Sequence, residues 1–355
     1  MIYHLDCKYF RGEVPCTPHK EYNVHCDDCT YYQRKKGIIL IIKLGAIGDV
    51  IRTTPLLERL WKDYPDFEIW WLTKSPEILP SGIERILTFD NESLLVLNAS
   101  YFHIIINLDK DAYACGLTSI LQADTKIGFG LVNGKPSPID ENARQKFLTG
   151  LFDDVSLANQ KSYPEEMFEI CGWEYNGEEY LIKEPVKKKW NLKSDGKKII
   201  GLNTGCGSRW ISRLWKSGYW IELIGLLQLN GYYPLILGGE QEHQSNEKLS
   251  AATRACYKGY FSLGDFVSLM NECDVVITAV TMALHIAIAL KKQVVLFNNI
   301  FNPHEFELYS RGEILQPEKP CKCFFSPKCK NDEYFCMDTL YPEKVLESVL
   351  RLTTK

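Results

Sequence analysis

The sequence lacks an excess of positive charge and lacks a long apolar run. Its 41 Lys and Arg residues against 45 Asp and Glu residues give a net charge of −4 and a pI near 6.0. Proteins that bind nucleic acid usually carry a basic face, so we expect no nucleic-acid partner. The chain contains no run of about 18 apolar residues, which argues against a membrane-spanning helix.

The N-terminus also lacks the pattern of a secretory signal. A signal peptide has a basic region followed by an apolar region, and MIYHLDCKYFRGE has neither. We therefore expect a cytoplasmic protein. With 355 residues, of which 45% are hydrophobic and 24% charged, the chain is long enough for two domains with separate cores.

Strands and helices alternate in two successive runs. The first run begins with the continuous apolar stretch IILIIKL at Ile38, which is typical of a parallel strand covered on both faces. The second begins at KIIGLN and contains predicted helices over 217–229, 241–252, 263–272 and 281–290. The charged stretch 183–198 between the runs is a predicted linker. Two doubly wound α/β domains facing a cleft are therefore expected.

This organisation divides the chain into four predicted parts. They are a cysteine-rich segment over 1–36, a first domain over 37–185, a second domain over 186–338, and a final helical segment over 339–355.

The stretch IIKLGAIGDVIRTTP, residues 41–55, places a carboxylate where the first strand of the first domain turns into a helix. Ligands of open α/β sheets bind at the carboxyl ends of strands. Gly45 and Gly48 allow a tight turn and leave room for a ligand, although the pattern is neither GxGxxG nor a P-loop. Asp49 has two interpretations: a helix N-cap, or a general base that accepts a proton from an acceptor hydroxyl.

Two stretches of the second half are typical of a nucleotide site. In GLNTGCGSRWISRLWKSGYW, the residues Arg209, Arg213 and Lys216 precede a predicted helix, which suits a diphosphate. A solvated basic loop is the alternative. In LILGGEQEHQ, Gly239 permits close approach of a ligand, and Glu240 is placed to accept hydrogen bonds from a ribose or a base.

A third stretch, CDVVITAVTMALHIAIALKKQVVLF, places Thr278 and Thr281 in a turn after a strand, with His285 on the following helix. A lone histidine on an apolar helix is more often a core residue than a ligand. Its position near a strand's carboxyl end keeps a role in the site open.

These stretches, in this order over about residues 37–350, resemble glycosyltransferase family 9, the heptosyltransferases of lipopolysaccharide synthesis and their relatives. IIKLGAIGDVIRTTP is similar to the N-terminal signature of that family, and GSRWISRLWKSGYW is similar to its GSRWPSKRWP loop. The paired glycines, the CDVVITAVTMALH segment and the closing Cys-rich stretch with its final helix have counterparts as well.

The resemblance implies a GT-B fold, with the acceptor on the first domain and the nucleotide sugar mainly on the second. It implies an inverting transfer that needs no metal, with Asp49 as base and Arg213 at the position of a phosphate-binding lysine. The donor would contact the loop and turn residues Gly207, Ser208, Arg209, Lys216, Gly239, Glu240, Thr281 and His285, and Gly45 and Gly48 would form the acceptor-side loop.

The partners implied are a nucleotide-sugar donor and a glycan or lipid-linked acceptor, the latter with peripheral contact at the inner face of the membrane. One departure concerns the donor: the acid and the glycine of the family's Asn-Asp-Thr-Gly-Pro are here Val280 and Met282. A valine cannot hydrogen-bond a sugar hydroxyl. The alternatives are therefore another donor sugar, a non-catalytic sugar-nucleotide or glycan-binding relative, or a metal- or redox-responsive protein on the same fold.

Eight of the 13 cysteines lie in two short polar stretches. One set is Cys7, Cys16, Cys26 and Cys29, and the other is Cys321, Cys323, Cys329 and Cys336. In a reducing compartment such sets more often bind metal than form disulfides. Each set has four sulfurs, enough for structural zinc or an iron–sulfur cluster, with His19 and His25 as substitutes in the first. The alternatives are that the sets pair across the molecule, through a final helix that returns to the first domain, or that the thiols bind nothing.

Overall fold

The computed structural model describes residues 1–354, so Lys355, the last residue of the predicted final segment, lies outside the described residues. Two six-stranded sheets form the framework, in the orders β3-β2-β1-β4-β5-β6 and β12-β11-β10-β7-β8-β9. All neighbouring strands are parallel except β5 and β6, which are antiparallel. The predicted pair of doubly wound α/β domains is confirmed.

The first sheet comprises β1 Gly37–Ile42, β2 Phe67–Thr73, β3 Arg85–Thr88, β4 Tyr101–Asn107, β5 Gln122–Val132 and β6 Lys135–Pro138. The helices around it and before it are α1 Thr17–Tyr22, α2 Ile47–Ile51, α3 Leu56–Asp63, α4 Asn91–Asn98, α5 Ala112–Ile120, α6 Arg144–Thr149, α7 Asp153–Ala158 and α8 Tyr163–Ile170.

The second sheet comprises β7 Ile199–Asn203, β8 Tyr233–Leu237, β9 Cys256–Tyr257, β10 Val275–Ala279, β11 Gln293–Phe297 and β12 Gly312–Leu315. Its helices are α9 Ser217–Leu229, α10 His243–Thr253, α11 Leu263–Asn271, α12 Met282–Ala289 and α13 Pro342–Thr353. Residues 171–198, which include the predicted linker, contain no helix or strand.

The central strands are the most deeply buried parts of both domains. Four residues of β1, from Ile39 to Ile42, are fully buried, as are most residues of β10. Helices cover both faces of each sheet, and this is why these strands read as continuous apolar runs rather than as an alternating pattern. Because the strands are parallel, their carboxyl ends and the turns that follow them lie at one edge of each sheet.

The cysteine-rich segment joins the first domain at the opposite edge. The ammonium of Lys35 donates to the carbonyl oxygen of Phe67 at 2.9 Å and pairs with Glu84, close to the amino ends of β2 and β3. Residues 1–36 therefore attach at the edge that does not carry the candidate site.

The final helix, α13, packs on the second domain. Its residues Val345, Val349 and Leu352 share a core with Ile200 and Leu227. The expectation that the last helix returns to the first domain is therefore wrong. None of the helices within residues 1–354 is long and apolar enough to cross a membrane.

Candidate functional site between the two domains

Asp49 lies inside helix α2 and does not cap it. The helix begins after Ala46, whose side chain makes no capping hydrogen bond. The carboxylate of Asp49 instead accepts hydrogen bonds from Nη2 of Arg52 at 2.8 Å and from its Nε at 3.0 Å. The N-cap interpretation is wrong, since the side chain turns toward a cation one helical turn further on.

Arg52 joins the two domains. Its Nη1 lies 2.5 Å from Oε1 of Glu305, a residue of the second domain, and its guanidinium carbon lies 3.5 Å from the ring centre of Tyr163. The side chain of Arg52 is only 12% exposed. A single buried cation therefore serves two carboxylates on opposite sides of the cleft.

The same cation keeps Asp49 ionised. Burial alone raises the pKa of this carboxyl group, but the charges of Arg52 and then Lys43 outweigh burial and lower the pKa to about 2. The carboxylates in turn keep Arg52 charged, because Asp49 and Glu305 raise the pKa of its guanidinium in spite of burial. At neutral pH the carboxylate of Asp49 is therefore a charged hydrogen-bond acceptor.

Asp109 organises the turn that precedes Asp49. One of its oxygens accepts hydrogen bonds from the backbone N–H groups of Leu44, at 2.5 Å, and Gly45, at 2.8 Å, and the other accepts from the ammonium of Lys43 at 2.9 Å. A Cβ on Gly45 would lie 3.1 Å from Oδ1 of Asp109, so any larger residue here would crowd this carboxylate. Sequence reasoning missed Asp109, although its place directly after the apolar stretch HIIINL, residues 103–108, was a signal that could have found it.

Gly48 lies where the two domains pack closely. Helix α2 packs against α12 of the second domain, and a Cβ on Gly48 would lie 2.5 Å from Cδ2 of His285. Burial, and then the charge of Arg52, lower the pKa of His285 to about 3, so its ring is neutral. Its buried Nδ1 has no hydrogen-bond partner among the described residues. The structure thus places His285 in the domain interface, on the wall of neither cavity described below.

A cavity of about 340 Å³ opens beside Asp49 and is lined by both domains. Its walls include the acids and bases Lys43, Asp49, Arg52, Asp109, Lys110, Lys146, Glu166 and Glu305, and the aromatic residues Phe301, Phe324 and Phe325. Within residues 1–354, Lys110 is the one lysine of this wall with no carboxylate in ion-pair contact. Burial, and then the charge of Lys146, lower the pKa of Lys110 to about 8.

Arg213 is a second buried cation, in the short turn before α9. It is 7% exposed, and burial lowers its pKa to about 10. Its Nη2 donates to the carbonyl oxygen of Cys206 at 3.1 Å, and no carboxylate within residues 1–354 pairs with it. A buried guanidinium without an acid partner is suited to bind an anion.

The remaining predicted donor residues of the Arg213 loop are solvent-accessible. Gly207, Ser208 and Lys216 line a second cavity of about 1230 Å³ at the carboxyl ends of β7 and β8. Lys216 also pairs with Asp338 at 3.7 Å. Arg209 is exposed and lies over the ring of Trp210.

The paired-glycine turn presents Glu242 to the second cavity. Gly239 begins a short turn of helix, and its N–H donates to Oε2 of Glu242 at 3.0 Å. Glu242 lines the cavity, whereas Glu240 is exposed and lies outside it. Sequence reasoning named Glu240 and missed Glu242, two residues further along the same motif.

Thr281 has a structural role in this structure. Its hydroxyl oxygen caps α12 by accepting from the N–H of Ala283 at 3.2 Å, and it also accepts from Nδ2 of Asn203 at 3.3 Å. Val280 packs against the main hydrophobic core.

The two cysteine sets differ. Over residues 1–354, no group of three or more His, Cys, Asp or Glu side chains is arranged to hold a metal ion. This holds for both sets, so the metal sites predicted at Cys7, Cys16, Cys26 and Cys29 and at the second set remain predictions. In the second set the sulfurs form two close pairs: Cys323 with Cys329 at 3.8 Å, and Cys321 in hydrogen-bond contact with Cys336.

Comparison with known proteins agrees with this geometry. Residues 96–334, more than half of the chain, match the family model described as glycosyltransferase family 9 (heptosyltransferase). A curated relative, lipooligosaccharide heptosyltransferase 2 of Campylobacter jejuni, is 25% identical over 190 residues. The match covers 49% of this chain and 58% of that protein, so the chain spans little more than half of the relative's length.

Solved structures show the same fold at low identity. A family 9 glycosyl transferase from Veillonella parvula superposes with a TM-score of 0.69 at 18% identity, over 90% of this chain and 97% of that one. The E. coli heptosyltransferase WaaC with ADP gives a TM-score of 0.62 at 13% identity, over 89% and 98%. The iron-containing E. coli glycosyltransferase TibC gives 0.57 at 14% identity, over 90% and 79%. The expected GT-B architecture is confirmed.

The Arg52 bridge generates a stability prediction. Arg52→Leu leaves Asp49 and Glu305 without their shared cation, and we expect a loss of about 2–3 kcal/mol. This is below the ~3–5 kcal/mol for breaking a fully buried pair, because both carboxylates keep access to the cleft. Arg59→Leu, which removes a helix-surface pair with Asp63, is the control and should cost at most about 1 kcal/mol. Urea unfolding at pH 7 measures both.

The pH dependence follows from the direction of the Asp49 shift. A carboxyl group whose pKa is lowered on folding stabilises the protein above its ordinary pKa of 3.8, and this contribution is lost as the pH falls toward about 2. The difference between wild type and Arg52→Leu should therefore shrink below pH 3.8. Equal losses in the two variants at pH 7 would contradict a special role for Arg52.

Proposed function

Since this chain belongs to glycosyltransferase family 9, we propose that it transfers a sugar from a nucleotide-diphosphate donor to an acceptor hydroxyl with inversion, and that Asp49 is the general base. One observation carries the proposal: an ionised carboxylate at the carboxyl end of β1 faces a cavity that both domains line. General-base catalysis of this kind contributes about 10²–10⁴-fold in rate.

The transfer is a single displacement. The acceptor oxygen bonds to the anomeric carbon while its proton passes to Asp49, and the bond from that carbon to the diphosphate breaks with its electron pair leaving on the nucleotide. Arg213, which pairs with no carboxylate among residues 1–354, would neutralise the charge that grows on the leaving group. Once Asp49 is protonated, Arg52 still pairs with Glu305, so proton transfer leaves no buried cation alone.

ADP-heptose is our proposed donor, supported by the heptosyltransferase names of the relatives. A lipid-linked glycan is the proposed acceptor, on the same support, and peripheral contact with the inner face of the membrane remains a prediction. Val280 stands where the family places an acid, and because a valine cannot hydrogen-bond a sugar hydroxyl, another donor sugar is the alternative. A thermal-shift panel of ADP-, GDP- and UDP-linked sugars separates the options, because a ligand that binds the folded state raises the unfolding midpoint.

The variant Asp49→Asn tests the base. It keeps the size of the side chain and removes its ability to accept a proton, so we expect turnover to fall by about 10²–10⁴-fold. The midpoint shift with the nucleotide sugar should be retained, since the donor residues lie on the second domain. Transfer of labelled sugar measures the first quantity and thermal unfolding the second.

Unchanged transfer in Asp49→Asn would remove Asp49 from the mechanism. A wild-type chain that binds the nucleotide sugar but neither transfers nor hydrolyses it would favour the non-catalytic binding relative.

For the cysteines, we propose a structural metal at the second set, Cys321, Cys323, Cys329 and Cys336, and none at the first. Two ligands of a tetrahedral zinc site with Zn–S bonds of about 2.3 Å lie about 3.8 Å apart, which is the separation of the Cys323 and Cys329 sulfurs. Such a metal would hold the loop in place and take no part in the transfer.

Elemental analysis of the full chain tests this proposal. We expect about one zinc or iron ion per chain, because a tetrahedral four-sulfur site holds one ion. The double variant Cys323→Ser/Cys329→Ser should lose that metal. The matched control Cys26→Ser/Cys29→Ser should retain it. A metal-free wild-type chain, or a metal that follows the N-terminal pair, would refute the assignment.

A further inference from the structure

A turn from the second domain reaches the cavity at Asp49. Cys323 to Ser326 form this turn, in which the N–H of Ser326 donates to the carbonyl oxygen of Cys323 at 3.0 Å. The two residues between them, Phe324 and Phe325, line the cavity together with Asp49. The cysteine-rich loop thus contributes directly to the wall of the candidate acceptor pocket.

Phe325 has two unusual properties. Its side chain is 58% exposed, and its backbone φ is +45°, in the left-handed region. A bulky residue rarely adopts this conformation, and where it does so the surrounding structure enforces it, often at functional sites. A glycine would fit the turn without strain. The backbone conformation therefore does not account for a phenylalanine at this position.

The surrounding structure does hold the turn. The N–H of Phe325 donates to the carbonyl oxygen of Ile300 at 2.8 Å, and the hydroxyl of Ser212 donates to the carbonyl oxygen of Ser326 at 2.7 Å. Next to the turn, the sulfur of Cys323 lies 3.8 Å from that of Cys329. The backbone under Phe325 is therefore fixed before any ligand arrives.

Neighbouring aromatic rings cover part of Phe325. The ring centre of Trp210 lies 5.3 Å away and that of Phe301 lies 5.7 Å away, both near perpendicular. These edge contacts orient the phenyl ring, and more than half of the side chain is left open. An aromatic side chain that is already held in a cavity loses little conformational entropy when a ligand binds to it.

The same cavity also has a charged wall. Lys110, Lys146 and Glu166 share its wall with Asp49. A ligand that matches both walls needs one apolar face and polar edges. A pyranose ring has this character, since the weakly positive C–H groups of one face suit the negative face of a phenyl ring, while its hydroxyls reach charged groups.

We propose that Phe325 is the platform of an acceptor subsite, on which the C–H face of the sugar ring that carries the attacking hydroxyl packs. The inference rests on the proposed function, because it takes the cavity at Asp49 as the acceptor side. The cysteine-rich loop then has a role in acceptor recognition.

The test compares Phe325→Gly with Phe325→Tyr in the full chain. The probe is deacylated lipooligosaccharide, with binding followed by saturation-transfer NMR. Phe325→Gly should bind the oligosaccharide at least about tenfold more weakly, the effect of losing one buried aromatic contact, while Phe325→Tyr keeps the ring and the binding. Tyr260→Ala, which removes an aromatic ring of the same domain that is 44% exposed and lies outside both cavities, should leave binding unchanged.

Two further readouts separate recognition from folding and from the donor site. The unfolding midpoint of Phe325→Gly should change little, because glycine relieves the positive φ while the edge contacts with Trp210 and Phe301 are lost. Its midpoint shift with ADP-heptose should equal that of wild type. The subsite would be overturned if wild type did not bind the oligosaccharide, or if Phe325→Gly bound it as tightly as wild type does. It would also be overturned if Phe325→Tyr lost as much binding as Phe325→Gly. Failure of ADP-heptose to stabilise wild type would count against the proposed function alone.

Discussion

The site depends on one guanidinium. Arg52 is bonded to Asp49 in its own helix and to Glu305 across the cleft, and it lies on the ring of Tyr163. A buried cation of this kind needs a carboxylate partner, since an unpaired charge in the interior is strongly unfavourable, and Arg52 has one on each side of the cleft. The contact of Gly48 with His285 allows the helices to come close enough for this bridge. The contacts of Arg52 therefore both keep Asp49 ionised and hold the two domains together.

Much of the fold follows from local sequence pattern. The predicted helix over 217–229 is observed as Ser217–Leu229, and IILIIKL, residues 38–44, overlaps the strand Gly37–Ile42. These features depend on the spacing of apolar residues, which is visible in one short window. Asp49 could also be predicted as a candidate site residue, because ligands bind at the carboxyl ends of parallel strands. The pairing of Asp49 with Arg52, three residues away on the same helix, was readable in principle.

The rest depends on contacts that no local pattern encodes. Glu305 meets Arg52 across 253 residues of sequence, and only the packing of two domains brings them together. The same is true of His285, which the interface buries in a neutral form beside Gly48. The same is true of the thiols, since the sulfurs of Cys323 and Cys329 lie 3.8 Å apart and the spacing of the cysteines did not predict this pair. Spacing alone does not reveal the fold of a polar, irregular segment.

The central claim is that Arg52 holds Asp49 ionised in the cleft, and a titration of that carboxyl group tests it most directly. Protein labelled with ¹³C at the aspartate carboxyl carbons would be followed by NMR, with the Asp49 signal assigned by its absence in Asp49→Asn. Our account predicts that this signal does not titrate between pH 8 and pH 4, because its pKa is about 2. A titration midpoint at or above the ordinary value of 3.8 would contradict it.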